Sequence, residues 1–156
     1  MDERGFTSAV NQHRDMLYRV AYTILHNNED CADALQESLL KAWQRLDTLR
    51  DDARFRGWAV RIVVNCSRDM LRRRKVRISE LTEDIPAPQA VDTHVDEALR
   101  LLDERLRLPI VLHYLEGMSV REVADVLRLP QGTVKNRMYR GRERLARILG
   151  GEDESI

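Results

Sequence analysis

The sequence predicts an all-α protein of two small helical domains, joined by an acidic, proline-containing linker, with a helix-turn-helix in the C-terminal domain. Three observations carry that expectation. Apolar residues recur at three- and four-residue intervals along most of the chain, the mark of amphipathic helices. The period fails over residues 76–92, where two prolines and four acids interrupt it. Charge is also segregated beneath a formal net charge of zero: residues 54–77 hold nine bases against one acid, and residues 78–104 hold eight acids against one base. With 33% charged and only 5% aromatic residues in 156, small helical units are favoured over one large core.

Phe6, Val10, Leu17, Val20, Ala21 and Ile24 stand at helical spacing, so a first helix covers 4–26 and ends at the turn-prone pair Asn27 and Asn28. A second helix covers 30–46, with Leu35, Leu39, Ala42, Trp43 and Leu46 as its expected buried face. Asp30, Asp33, Glu37, Lys41 and Gln44 point outward, with Gln36 and Leu40 at the edges. The charges alone fit an ordinary solvated face, whereas an exposed Leu40 beside Asp33 and Glu37 fits a partner surface. The polar stretch 47–54 reads as a loop.

A third helix runs over 55–75, burying Phe55, Trp58, Ala59, Ile62 and Cys66. On another stripe Arg61, Asn65, Arg68 and Arg72 recur at i, i+4, i+7 and i+11, leading into Arg73, Arg74, Lys75 and Arg77. A ladder of like charges is unfavourable by itself, so something negative must compensate it. A guanidinium rail with an amide in its middle suits a phosphate backbone.

The linker spans 78–92, stiffened by Pro86 and Pro88. Its acids can shield the basic surfaces of the free protein, or keep the tether off a nucleic acid by repulsion. Helicity resumes near Thr93 with Val95, Leu99, Leu102 and Leu106, followed by a short helix over 108–115 opened by Pro109 and closed by Gly117. Ser119 and Glu122 form a capping box ahead of the stripe Val120, Val123, Ala124 and Leu127. Pro130 stops that helix, because proline disfavours helical geometry in the residue before it, and is itself tolerated in the first turn of the next.

In that last helix Val134, Met138, Gly141, Leu145 and Ile148 share one face. Gly141 costs the helix about 1 kcal/mol relative to alanine, and its inward place points to close packing. Thr133, Asn136, Arg137, Arg140, Arg144 and Arg147 point the other way, with Lys135 and Arg142 on the flank. Arginine forks guanine O6 and N7, asparagine pairs with adenine N6 and N7, and threonine meets a thymine methyl, which is the inventory of a major-groove helix. Residues 128–147 carry seven bases against the single acid Glu143, so phosphate attraction follows. A capped helix, a turn and a second helix in series make a helix-turn-helix.

Other chemistry is not indicated. Cys31 and Cys66 are far apart and outside any CxxC, and His13, His26, His94 and His113 have no metal-ligand spacing, so neither metal nor cofactor is expected. The N-terminal MDERGFTSAV has no signal-peptide pattern, and no stretch nears the roughly 20 apolar residues of a membrane span, so a cytoplasmic protein without membrane insertion is expected. No phosphate-binding glycine loop, GxSxG or HExxH appears, which argues against an enzyme. A recombinase-like activity would need Tyr139 as nucleophile, inside the reading helix. An ordinary helix-turn-helix regulator would leave the basic third helix idle.

Three stretches in series resemble the extracytoplasmic function (ECF) sigma factors of the bacterial sigma-70 family. DCADALQESLLKAW, residues 30–43, is similar to the polymerase-binding helix through Asp33, Gln36, Glu37 and Trp43. Residues 55–75 are similar to the promoter-melting helix through Trp58, Arg61, Asn65, Asp69, Arg72 and Arg73. Residues 116–145 resemble the duplex-reading helix-turn-helix through Glu122, Ala124, Pro130, Gly132, Thr133, Val134, Lys135, Arg137 and Arg140.

The resemblance implies domains at 1–77 and 93–150, and two partners, core RNA polymerase and promoter DNA. By it, Asp33, Gln36, Glu37 and Leu40 dock on the beta-prime clamp helices. Arg54, Trp58, Arg61, Asn65, Arg68, Arg72 and Arg73 hold minus-ten DNA, with the loop Thr48 to Arg54 capturing a flipped base. Gln131, Thr133, Lys135, Asn136, Arg137, Arg140 and Arg144 read the minus-thirty-five element, and the same domain touches the beta flap. An anti-sigma factor is the implied regulator. Asn136 stands where the family often has serine and Gly141 where it often has alanine; Asn136 faces the groove, so the preferred promoter is expected to differ from the commoner ones.

Overall fold

A computed structural model describes residues 1–81 and 94–154, with side chains described over 1–75 and 95–150. The described residues are helical, with no strand among them, and the chain divides into two compact units, 1–88 and 89–156. The expected linker falls largely on 82–93, outside the described residues.

In the first unit α1 (Glu3–Leu25) starts at Asp2, whose carboxylate accepts from the Gly5 N–H at 2.8 Å. It ends at His26, held in the left-handed region at φ 53°. Asn27 does not extend a turn but caps the next helix, α2 (Asn28–Gln44), its Oδ1 accepting from Asp30 N at 2.9 Å. Two short 3₁₀ turns, Leu46–Thr48 and Asp52–Arg54, lead into α3 (Phe55–Leu81). That helix runs six residues past the expected end at Lys75 and into the stretch read as linker, since no proline stands before Pro86 to stop it.

The buried face of α2 corrects the sequence reading. Cys31, Ala34, Ser38 and Ala42 face inward, Leu35, Leu39 and Leu46 are half-buried, and Trp43 is 46% exposed. Small side chains let α2 approach its neighbours closely, which pushes the large ones to the flanks. Ser38 tolerates burial because its hydroxyl donates to the Ala34 carbonyl at 2.6 Å. Helix α3 packs against both α1 and α2 and buries Phe55, Ala59, Val60, Ile62, Val63, Val64, Cys66 and Ser67, more than half of its girth. An aromatic row ties the three helices together: Trp43 to Phe6 at 5.3 Å, Phe6 to Phe55 at 6.2 Å and Phe55 to Trp58 at 5.7 Å between ring centres.

In the second unit the helix expected from Thr93 breaks in two, α4 (His94–Arg100) and α5 (Glu104–Ile110). Asp103 caps α5, its carboxylate accepting from Arg105 N at 3.2 Å, and that bond with the Arg105 side chain holds the Asp103 carboxyl below the usual carboxylate range. The elbow is fastened from inside. Arg107 is only 7% exposed, and its guanidinium donates to the carbonyls of Leu102 at 2.8 Å and Arg100 at 3.5 Å. Burial lowers the pKa of that guanidinium.

Pro109 does not open a helix, as expected, but sits inside α5. The following turn, Val111–Leu115, widens to a π-helical one in which Glu116 N reaches the Val111 carbonyl at 3.0 Å. Proline lacks the N–H of the regular ladder and crowds the carbonyl four residues back. Gly117 at φ 74° then closes the segment.

Helix α6 (Val120–Leu127) carries the expected capping box, with Ser119 N to Glu122 at 3.2 Å and Glu122 N to Ser119 Oγ at 3.0 Å. Helix α7 (Gln131–Glu154) packs against α4, α5 and α6. It buries Val134, Met138 and Gly141 and half-buries Leu145 and Ile148, the face read from the sequence. At Gly141 a methyl group would overlap Cδ1 of the buried Ile110 and lie 3.3 Å from the Leu106 carbonyl oxygen.

Gly141→Ala therefore costs about 1–3 kcal/mol of overpacking, more than the roughly 1 kcal/mol of helix propensity it gains. In an Ile110→Val background, which removes the obstructing Cδ1, the substitution becomes neutral or stabilising. Urea unfolding of the four-member cycle should give a coupling of about 1 kcal/mol, and a coupling of zero would refute the contact.

Candidate nucleic-acid interface

Because α1 and α2 cover so much of α3, the helix turns one narrow strip outward between Trp58 and Arg72. It holds Trp58, Arg61, Asn65, Arg68, Asp69 and Arg72, so the expected rail is one continuous ridge. Asn65 and Arg72 are exposed, and Trp58, Arg61, Arg68 and Asp69 are half-buried. Part of the required negative compensation lies on the ridge itself, where Asp69 pairs with Arg72. The rest comes from α2.

Arg73 and Arg74 turn off the ridge toward that helix. The Arg73 guanidinium lies 3.5 Å from Glu37, and Arg74 lies 3.0 Å from Asp30 while donating to the Leu25 carbonyl at 3.3 Å. Arg73, expected with the minus-ten group, thus stands about a quarter turn from Arg72. Arg74 is a half-buried tie between all three helices. Asp30, Glu37 and Lys41, expected on the outer face of α2, are half-buried on its flank, with Glu37 also 3.5 Å from Lys41. What remains outward on α2 is an arc of Asp33, Gln36, Leu40, Trp43 and Gln44, in which Leu40 is 58% exposed.

Between these surfaces the chain from 48 to 54 forms a braced loop. The Trp58 indole N–H donates to Thr48 Oγ1 at 3.1 Å, and the Thr48 hydroxyl donates to the Arg45 carbonyl at 2.7 Å. Asp51 accepts from Ala53 N at 3.0 Å. Arg50 and Arg54 are exposed.

On α7, Gln131, Lys135, Asn136, Arg140, Arg144 and Arg147 are exposed, whereas Thr133 and Arg137 are half-buried at the edge of the face. Arg142 donates to the Tyr114 hydroxyl at 2.9 Å, with its guanidinium carbon 6.0 Å from the ring centre. Among the described residues no group of three His, Cys, Asp or Glu is placed to hold a metal ion, and no helix is long and apolar enough to cross a membrane. Burial pushes the Cys31 thiol up to about 11, which keeps it in the unreactive protonated form at neutral pH.

Two family models match the chain, sigma-70 region 2 over residues 9–77 and sigma-70 region 4 over residues 94–145. Among curated proteins, ECF RNA polymerase sigma factor SigM of Mycobacterium tuberculosis is 34% identical over 155 residues, covering 96% of this chain and 79% of SigM. The chain is an ECF sigma factor. SigW of Bacillus subtilis is 27% identical over 169 residues, covering 95% of this chain and 90% of its own. Among solved structures, CnrH in complex with the cytosolic domain of CnrY superposes with a TM-score of 0.75 at 32% identity, covering 96% of this chain and 90% of that one. The fold is also that of RpoE from Bartonella quintana, crystallised with the anti-sigma factor NepR, at a TM-score of 0.80 and 23% identity, covering 92% and 96% of the two chains.

As a sigma factor it binds core RNA polymerase and promoter DNA and directs transcription initiation. The two matched regions coincide with the two helical units, so the α3 ridge belongs to region 2 and the α7 face to region 4.

The basic residues of this sigma factor should sort by what they touch. Arg74→Ala leaves Asp30 and the Leu25 carbonyl without their partner and should destabilise the first unit by about 1–3 kcal/mol. Arg72→Ala, on the open ridge, should stay within about 0.5 kcal/mol. Guanidinium denaturation of the two variants checks the ranking, and equal losses would refute it.

Proposed function

We propose the following division of labour for this ECF sigma factor. The α2 arc of Asp33, Gln36 and Leu40, with Glu37 at its flank, docks on the beta-prime clamp helices of the polymerase. The α3 ridge from Arg61 to Arg72, with Arg54 and the loop 48–54, holds the minus-ten element as a separated strand: Arg61, Arg68 and Arg72 follow its phosphates, and Asn65 meets a base. Gln131, Thr133, Lys135, Asn136, Arg137, Arg140 and Arg144 of α7 read the minus-thirty-five element as duplex. The second unit also touches the beta flap. The domains are 1–77 and 93–150, with 78–92 between them.

The observation that carries this reading is the ridge. One uncovered strip of a buried helix, lined by three arginines and an amide, matches a single strand followed along its backbone. Extruding a base costs a few kcal/mol and must be offset by a pocket and phosphate contacts, which the loop and ridge together can supply.

The protein acts by binding, in the cytoplasm where the polymerase works, without chemistry of its own. The Tyr139 hydroxyl is held by Glu143, which pushes its pKa up and away from a nucleophilic phenolate. An anti-sigma factor regulates it. CnrH, at 32% identity, is held by the cytosolic domain of CnrY, which supports a protein partner bound to this chain as well.

Capture of core polymerase tests the docking arc: Leu40→Asp should abolish co-purification, and unchanged capture would refute the arc. Permanganate and nuclease footprints of the holoenzyme on a selected promoter test the two DNA surfaces by opposite outcomes. Asn65→Ala should spare the closed complex and impair opening. Arg140→Ala should weaken the closed complex by about 1–3 kcal/mol if it forks a guanine. Equal weakening by Arg140→Ala on every sequence would reassign it to phosphate contact.

A further inference from the structure

We propose that Trp58 is a positioning residue for the 48–54 loop, acting through Thr48, and not itself a contact to DNA. The proposal rests on the reading that this loop engages an unpaired base. Its physical basis is a short relay of hydrogen bonds with a fixed direction. The indole N–H is the only polar group of a tryptophan and can only donate. Here it donates to Thr48 Oγ1 at 3.1 Å. The threonine hydroxyl has one proton, and it is committed to the Arg45 carbonyl at 2.7 Å. Trp58, Thr48 and Arg45 are therefore joined in one order: offering the hydroxyl proton to a ligand breaks the bond to Arg45, and turning the Thr48 side chain breaks both.

The ring that starts this relay is itself fixed. Trp58 packs with Phe6 against the buried cluster of Ala42, Ile62 and Cys66, and its ring centre is 5.7 Å from that of Phe55. Phe55, which follows the loop directly, is 3% exposed. Thr48, which opens the loop, has a β-branched side chain with restricted χ1. Both ends of the loop are thus anchored by neighbouring aromatic residues of α3, while Arg50, Asp51, Asp52, Ala53 and Arg54 between them are exposed. A loop held in shape before its ligand arrives loses less freedom on binding.

The test uses reconstituted holoenzyme with Trp58→Phe, Thr48→Val, their combination and Thr48→Ser. Arg50→Ala probes the loop outside the relay. Opening is followed by permanganate reactivity, together with discrimination among the four bases at the flipped position. Trp58→Phe should slow opening about fivefold, the factor that one ordinary hydrogen bond supplies, and Thr48→Val, which removes both bonds of the relay, should slow it by at least as much. The combination should be no slower than Thr48→Val alone, Thr48→Ser should restore both speed and discrimination, and core capture should not move.

Additive losses, or wild-type opening by Thr48→Val, would overturn the relay. If Arg50→Ala slows opening while Thr48→Val does not, the relay falls and the loop's part in melting stands. If Arg50→Ala also opens at the wild-type rate, the loop's part in melting falls as well.

Discussion

The first unit is governed by a single constraint: α3 has to serve as the core of a three-helix unit and as a surface at once. Two neighbours bury its apolar residues over more than half of its girth, and what they leave uncovered is a strip wide enough for one file of side chains. Six basic residues follow from Arg68 to Lys75 and Arg77 in the sequence, and crowding them on one helix is unfavourable. The fold disperses them. Arg72 is paired with Asp69 on the ridge, and Arg73 and Arg74 are drawn aside by Glu37 and Asp30 of α2. Acids on α2 thereby thin out the charge on α3.

The second unit solves a different problem, which is to present one long helix on a small support. Helix α7 is met by three short helices, and the supports are tightened at points where a side chain would be in the way or a backbone group would be left over. Gly141 lets α5 approach. Arg107 reaches into the α4–α5 elbow and takes up two carbonyls that the break between those helices leaves over. The widened turn after Pro109 and the left-handed Gly117 then deliver the chain to the capping box of α6. Each device is worth little alone, but together they fix the direction of the basic α7 face relative to its own unit.

Much of this was legible in the sequence because periodicity reports large apolar residues well. The α1 stripe, the α7 face, the capping box and the ridge of Arg61, Asn65, Arg68 and Arg72 are where their spacing put them. The reading failed where packing uses small residues. On α2 the leucines and Trp43 outweighed Cys31, Ala34 and Ser38, although those three recur at helical spacing with Ala42, which was read correctly, and are buried beside it. That shift of phase is also why Glu37 moved from the outer face to the flank. Proline misled in the other direction: Pro109 signals a helix start only if the preceding turn can end, and Asp103 had already begun one. A buried Arg107 has no signature in a single sequence, since nothing before folding distinguishes it from the exposed arginines around it.

The aromatic row in the first unit has an experimental consequence of its own. The chain has two tryptophans, and they stand at the two ends of that row, Trp43 on the open arc of α2 and Trp58 beside the loop. Replacing either one by phenylalanine leaves a single tryptophan, whose selectively excited emission reports on one surface alone. Stopped-flow spectroscopy of unlabelled protein can then time events at the two surfaces separately, without an attached dye.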